Sequence, residues 1–277
     1  MKNFEFENWD HGRMIVNRET ADLLRECKLE NFESLYDFAG GTVAKNLLRE
    51  RTTTRIELTG QDGMQHAFYL KRHAAAPWKE HIKPFLRFTR PILGARNEWN
   101  AILRFHEIGI PTMTPVALGE SGQCSFLMTK SIEGCQKLSH WMESHHRDSN
   151  RNGNEDDSET DRIVDELAAI ARSMHAQGMH HQDFYLTHLL RPLQNDKRPI
   201  HVIDLGRVRK RKHLSKRWIV KDLSQLNYSA NLFSEKHRQR FLEAYLERPL
   251  EEIDRGFIRR IERKTAAIAR HSLKNRL

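Results

Sequence analysis

Residues 180–190 read HHQDFYLTHLL. A segment with Ile163, Val164, Leu167, Ile170, Ala171 and Met174 at helical spacing leads into them, Gly178 ends that segment, and a basic run follows. His180, His181, His188 and Asp183 admit three readings: a metal site, a catalytic loop, or a polar turn whose histidines are satisfied. Zinc has little support, because no HExxH is present and no cysteine is near. The choice between the other two rests on what stands elsewhere in the chain.

Upstream, TRIELTGQDGMQHAFYLKR (54–72) reads as two strands around a turn bounded by Gly60 and Gly63. On the second strand Ala67, Tyr69 and Lys71 share one face, and Phe68 and Leu70 the other. The spacing of Trp99, Ile102, Leu103 and His106 predicts a helix from about Ala95 to Glu107, closed by Gly109 and Pro111, with Glu98 on a partly buried face. Strands follow around 114–118 and 124–129, then a short linker, SIEGCQKLSHWM (131–142), into a helix. The stretch 147–160, RDSNRNGNEDDSET, has no apolar side chain to bury and reads as a mobile loop. Thr160 or Asp161 would cap the next helix. After the HHQDF stretch come a turn (191–199), a strand IHVIDLG (200–206) and helical segments, among them RWIVKDLSQL (217–226). This order is α+β in two lobes: a small β-rich N-lobe with one helix over 1–130, and a mainly helical C-lobe over 131–277.

Phosphoryl transfer asks for particular groups in a particular order. A strand lysine holds nucleotide phosphates, and a glutamate on the next helix holds the lysine. An aspartate in a loop after a long helix serves the acceptor hydroxyl, and a second aspartate, after a short strand and before a glycine, carries Mg²⁺. Lys71, Glu98, Asp183 and Asp204 stand in that order and in those settings. Each alone has a bland explanation: an exposed charge, a solvated helix position, a turn. The ordered set is what carries weight.

With these positions fixed, FYLKRH (68–73), LGARNEW (93–99), GIPT (109–112), HQDFYLTHLL (181–190), IDLGR (203–207) and RW-x-x-KDL (217–223) resemble the bacterial lipopolysaccharide core kinase family, the Kdo and heptose kinases of the protein-kinase-like superfamily. The resemblance spans about residues 40–230. It implies a bilobal protein-kinase-like fold, ATP and Mg²⁺ as cofactors, and phosphorylation of an inner-core sugar, heptose ahead of Kdo. It further implies that Lys71 contacts the α- and β-phosphates, that Glu98 orients Lys71, and that Asp183 accepts or orients the acceptor proton. Asp204 would bind Mg²⁺, with His188 where protein kinases place a metal-binding asparagine. Met128, Thr129 and Lys130 would supply the adenine hinge through backbone groups. The family pattern is not met everywhere. Gln182 replaces the arginine that reads an activation-loop phosphate. His188 is a soft ligand for Mg²⁺. AGGTVAK (39–45) has two adjacent glycines, Gly40 and Gly41, with Lys45, in place of three spaced ones; this is the candidate phosphate loop. A kinase-like nucleotide-binding module with little activity is the alternative these departures favour.

The chain carries 46 Lys and Arg against 37 Asp and Glu, a net charge of +9. Arg207, Arg209, Lys210, Arg211 and Lys212 concentrate it, so polyanions are expected partners: the lipopolysaccharide core and lipid A as acceptor, an anionic inner-membrane surface, and an acidic protein as a further candidate. Nucleic acid is not expected, since no reading helix, aromatic sheet motif or zinc finger is present. A second basic stretch, 79–96, flanked by Trp78 and mixing Phe85, Phe88 and Leu93 with cations, suits either an interfacial contact or a lobe surface. Three cysteines fit no disulfide or zinc frame, and no apolar run approaches a membrane span. The expected location is cytoplasmic, peripheral to the inner membrane.

Overall fold

The computed structural model describes residues 3–48, 51–74, 94–152, 157–193 and 198–275. Two units divide the chain: Met1–Glu107 with Thr112–Glu133, and Ile108–Pro111 with Gly134–Leu277.

Alternation of apolar and polar residues builds the first unit. Its seven strands are β1 (Phe6–Trp9), β2 (Met14–Asn17), β3 (Thr42–Leu48), β4 (Arg51–Thr59), β5 (Gln65–His73), β6 (Pro115–Ser121) and β7 (Cys124–Lys130). They form one antiparallel sheet in the order β1-β2-β6-β7-β5-β4-β3. Ile56 and Leu58 of β4, Phe68 and Leu70 of β5, and Phe126 and Met128 of β7 point to one buried side. Helices α1 (Arg18–Glu26) and α2 (Phe32–Tyr36) cover that side through Leu24, Phe32 and Leu35. Both start on asparagine caps: Asn17 accepts from the Glu19 N–H, and Asn31 accepts from the Ser34 N–H. A third helix, α3 (Arg96–Glu107), buries Trp99, Ile102 and Phe105. One helix was expected in this lobe; the described residues contain three. The two extra ones belong to the first 36 residues, where the strands are four residues long and alternate too briefly to register.

Helices dominate the second unit: α4 (Leu138–Asn152), α5 (Asp157–Ala176), α6 (Lys216–Ser229), α7 (Glu235–Leu246) and α8 (Arg255–Asn275). Short strands β8 (Cys135–Lys137), β10 (Leu189–Pro192) and β11 (His201–Val202) make a small antiparallel sheet, and β9 (Met179–His180) pairs with β12 (Arg209–Lys210). The stretch expected to be a mobile loop, 147–160, is helical over 147–152 and 157–160; residues 153–156 lie outside the described residues. Neither Thr160 nor Asp161 caps α5, which begins at Asp157. Leu138, Trp141 and Met142 anchor the first turns of α4 in the core. From such an anchor a helix propagates through polar residues without further burial. Gly178 ends α5 as predicted, at φ +73°; a Cβ there would meet the Arg211 carbonyl at 2.3 Å. Among the described residues no helix is long and apolar enough to cross a membrane. Near the C-terminus Ile261 of α8 is buried, whereas Ile253, ahead of that helix, is exposed.

Candidate active site

In the first unit, period-two alternation turns Lys71 of β5 to the face opposite Phe68 and Leu70. Its Nζ donates to Glu98 Oε1 at 2.6 Å. Glu98, in the first turn of α3, is only 4% exposed, so its carboxylate is held out of water by that ammonium. The helix is fixed against the sheet by Ser125, whose hydroxyl accepts the Ala95 N–H at 3.0 Å. Met128 and Thr129 of β7 pair with Leu70 and Tyr69, which sets the expected hinge on the strand beside Lys71. The Lys130 N–H is already spent, donating to Thr114 O at 2.9 Å.

In the candidate phosphate loop Gly40 and Gly41 immediately precede β3, and residues 49 and 50 lie outside the described residues. Gly41, at φ +122°, is needed for packing, since a Cβ would come 2.4 Å from the Arg55 carbonyl. Lys45 is in register with Thr53, and Thr53 with Lys71, so the two lysine positions lie on one line across the sheet.

In the second unit the HHQDFYLTHLL stretch is a loop held from behind by one face of α6. Asp222 accepts the His181 N–H at 2.6 Å and the Gln182 N–H at 2.8 Å. Gln225 accepts the Phe184 N–H at 3.2 Å and donates to Gln182 O at 2.6 Å. Ser229 accepts the Leu186 N–H at 3.0 Å. The spacing i, i+3, i+7 puts all three on one helical stripe. Asp222 is fully buried. Burial pushes its carboxyl up, but the hydrogen bond from His175 and the backbone donor at His181 outweigh that and hold it below the ordinary carboxylate range.

The two histidines of the loop have assignable protons. His181 Nδ1 accepts the Asp183 N–H at 3.3 Å, and its Nε2 lies 3.2 Å from Ile203 O. A carbonyl only accepts, so the proton is on Nε2. Burial keeps this ring neutral by pushing its pKa down. His181 thereby ties Asp183 to the residue before Asp204. His188 Nδ1 lies 2.7 Å from Asp183 O and must donate to it. In the neutral ring this leaves the Nε2 lone pair 3.6 Å from Asp204 Oδ2. Two electron-pair donors facing each other at that distance suit a shared cation. Mg²⁺ bound with a nucleotide takes one or two protein donors and completes its shell with phosphate oxygens and water. The pair fits that role, although the imidazole is a softer ligand than Mg²⁺ prefers. Among the described residues no group of three or more His, Cys, Asp or Glu is disposed to hold a metal by itself.

Asp183 is engaged by a residue assigned to another task. Arg207 Nη1 spans both carboxylate oxygens, at 2.9 and 3.0 Å. Gln182 Nε2 donates to Arg207 O at 2.6 Å, so loop and arginine are tied twice. Arg207 therefore steadies Asp183 and is not simply one of a row of solvent-facing cations. The others of that row diverge. Arg209 and Lys210 pair with His180 and Met179 across β12–β9, Arg211 packs on Trp218, and Lys212 is exposed. The basic stretch 79–96, with Trp78, Phe85, Phe88 and Leu93, lies outside the described residues through residue 93. Asp222, Gln225 and Ser229 were missed from sequence, though polar residues recurring at helical spacing beside the buried Leu223 and Leu226 were a readable signal.

Comparison with known proteins agrees with this geometry. The model of the family "Lipopolysaccharide kinase (Kdo/WaaP) family" matches residues 40–245. Lipopolysaccharide core heptose(I) kinase WaaP of Pseudomonas aeruginosa is 35% identical over 235 residues, 78% of this chain and 82% of that protein. WaaP of Escherichia coli is 31% identical over 245 residues, 83% and 88% of the respective chains. A solved structure of WaaP in complex with acyl carrier protein superposes with a TM-score of 0.70 at 30% identity, covering 92% of this chain and 98% of that one. The match runs through the lysine strand, the Asp183 loop and α6 alike: the chain has the α+β fold of WaaP and belongs to the lipopolysaccharide kinase (Kdo/WaaP) family.

Proposed function

We propose that this protein transfers the γ-phosphate of ATP to a hydroxyl of an inner-core heptose of lipopolysaccharide. The observation that carries the reading is the loop held by Asp222, which sets the Asp183 carboxylate and the Asp204–His188 pair in fixed relation within one unit. Lys71, oriented by Glu98, binds the α- and β-phosphates. Asp204 and His188 would hold Mg²⁺, which when bound would neutralise phosphate charge. Asp183 accepts a hydrogen bond from the acceptor hydroxyl and aims it. The sugar oxygen bonds to the γ-phosphorus as the bond to the β-phosphate oxygen breaks, ADP leaves, and the hydroxyl proton passes to Asp183. Arg207 occupies one side of that carboxylate and leaves lone pairs for the acceptor. ATP and a membrane-held glycolipid acceptor together place the reaction at the cytoplasmic face of the inner membrane, with the protein peripheral to it.

Asp183→Ala tests the assignment: transfer to lipopolysaccharide lacking the heptose phosphate should be lost while ATP binding is retained, and normal transfer by the variant removes Asp183 from its role. Mass spectrometry of the core from cells with and without the gene separates heptose from Kdo by which sugar loses its phosphate.

A specific observation also supports an acyl carrier protein as partner. The second unit contains a cavity of about 480 Å³ lined by Val164, Leu167, Leu226, Phe233, Leu242 and Ile258, apolar enough for an acyl chain. Filling it with Leu226→Trp should weaken binding of acylated but not unacylated carrier protein; equal binding of both forms would rule out the cavity as the acyl site.

A further inference from the structure

Trp218, in the first turn of α6, gathers cations. Arg211 Cζ lies 4.8 Å from its ring centroid, Arg217 Cζ 5.2 Å and Lys221 Nζ 5.7 Å. The His180 ring stacks on the same indole at 4.4 Å. Arg211 Nε donates to His180 Nε2 at 3.2 Å, which requires a neutral imidazole, and burial supplies it by pushing His180 down to about 4. The histidine thus anchors Arg211 without adding charge. Among the described residues, no carboxylate forms an ion pair with any of the three cations. The cation–π contacts hold the three side chains against the indole, while the three charges repel one another. Burial, then the charge of Arg207, push the Lys221 ammonium down. Such a group is stabilised by an arriving anion. The cluster adjoins the catalytic loop, since Arg209 of β12 pairs with His180, three residues before Asp183.

Resting on the kinase reading, we infer that Arg211, Arg217 and Lys221, assembled on Trp218, form an anion subsite that binds a phosphate or carboxylate group of the acceptor glycolipid while its sugar hydroxyl is presented to Asp183. Convergence on one ring favours a compact anionic group over a broad charged surface, and arginines suit the oxygen pairs of phosphate and carboxylate. The three cations, with no carboxylate ion pair among the described residues, are the recognition element, and the aromatic ring fixes their positions.

The test uses the full chain and the Arg217→Gln/Lys221→Gln double variant, which leaves the Arg211–His180 contact in place. With lipopolysaccharide lacking the core heptose phosphate as acceptor, the variant should raise the acceptor KM at least tenfold, with kcat and the KM for ATP within twofold of wild type. Equilibrium binding of the same lipopolysaccharide, without ATP, should weaken in parallel, so the subsite remains testable if no transfer is observed. Acceptor KM and binding within twofold of wild type would overturn the inference. So would loss of binding to phosphatidylglycerol vesicles with acceptor binding unchanged, which would assign the cluster to the membrane surface. Removing phosphates from the acceptor identifies the source: a raised wild-type KM, with no further effect of the variant, indicates phosphate, and an unchanged one indicates a sugar-acid carboxylate.

Discussion

Replacing Asp222 isolates the link between the buried α6 face and catalysis. Its carboxylate, fully buried, accepts the backbone N–H groups of His181 and Gln182 at 2.6 and 2.8 Å. In Asp222→Ala both donors lose their acceptor inside the protein, at about 1–3 kcal/mol for each unsatisfied group, so about 2–6 kcal/mol together. Asp222→Asn keeps one acceptor oxygen but turns an amide donor toward the second N–H, which predicts roughly half that loss, about 1–3 kcal/mol. The functional effect should exceed the stability effect. Asp183 lies one residue beyond the second of these N–H groups, and misplacement of a reacting group by about 1 Å costs on the order of 100-fold in rate. Urea unfolding, Mg²⁺-free ATP titration and turnover on the lipopolysaccharide acceptor should be measured together for Asp222→Asn. The expected pattern is a folded protein, nucleotide affinity near wild type through Lys71, and kcat lowered about 100-fold. A variant folded as stably as wild type and turning over within twofold of it would refute the claim that this carboxylate sets the loop.

Three other outcomes follow from the geometry. Glu98→Gln removes the charge that orients Lys71 and should lower kcat/KM for ATP by about 10- to 100-fold, the rate equivalent of one charge-assisted hydrogen bond; steady-state kinetics at varied ATP check it. Arg207→Gln should reduce kcat with little change in the KM for ATP, and Arg207→Lys should restore part of it, because a single guanidinium nitrogen makes both contacts to Asp183; equal activity of the two variants would remove the ionic contact from the mechanism. Burial pushes both His73 and His180 down to about 4, so each is neutral in the fold at pH values where the unfolded chain begins to protonate it. The unfolded state then binds more protons, and stability is lost as pH falls from about 6.5 through 4. Urea midpoints at pH 7 and pH 5 should differ accordingly, and His73→Phe, which removes a ring whose nitrogens have no hydrogen-bond partner among the described residues, should narrow the difference.

What the chain discloses without coordinates depends on whether the signal is local. Lys71 was placed because alternation along AFYLK fixes a face, and Glu98 because Trp99, Ile102, Leu103 and His106 fix a helical period. The polar stretch around 147–160 misled because lack of apolar residues reports on burial, whereas a helix satisfies its own backbone and needs an anchor at only one end. Arg207 was grouped with its neighbours because charge counting cannot tell which member of RVRKRK turns back to Asp183. That depends on the 3₁₀ turn Leu205–Arg207 and on the Gln182 side chain that holds the Arg207 carbonyl. The second-unit cluster on Trp218 was equally hidden, since Arg211 reaches it from a different segment.

Strain at two positions explains why the site is built as it is. Gln182 and Asp204 both adopt positive φ, +73° and +59°, a conformation that disfavours any residue with a Cβ. Glycine would hold either backbone at less cost. It would also lack what each side chain supplies: at Gln182 the amide that fastens the Arg207 carbonyl, and at Asp204 the carboxylate that faces His188. Each strained residue is held by neighbours that over-determine it. Gln182 has Asp222 on its N–H and Gln225 on its carbonyl, while Asp204 follows Ile203, whose N–H and carbonyl are bound to His188 and His181. Strain of this kind persists only where surrounding structure enforces it, at about 1–3 kcal/mol per residue. The bonds from α6 are strong enough in number to offset it at Gln182. The polar stripe on α6 therefore stabilises the left-handed backbone at Gln182, His181 and His188 brace the segment that ends at Asp204, and the two strained positions aim the groups that phosphoryl transfer requires.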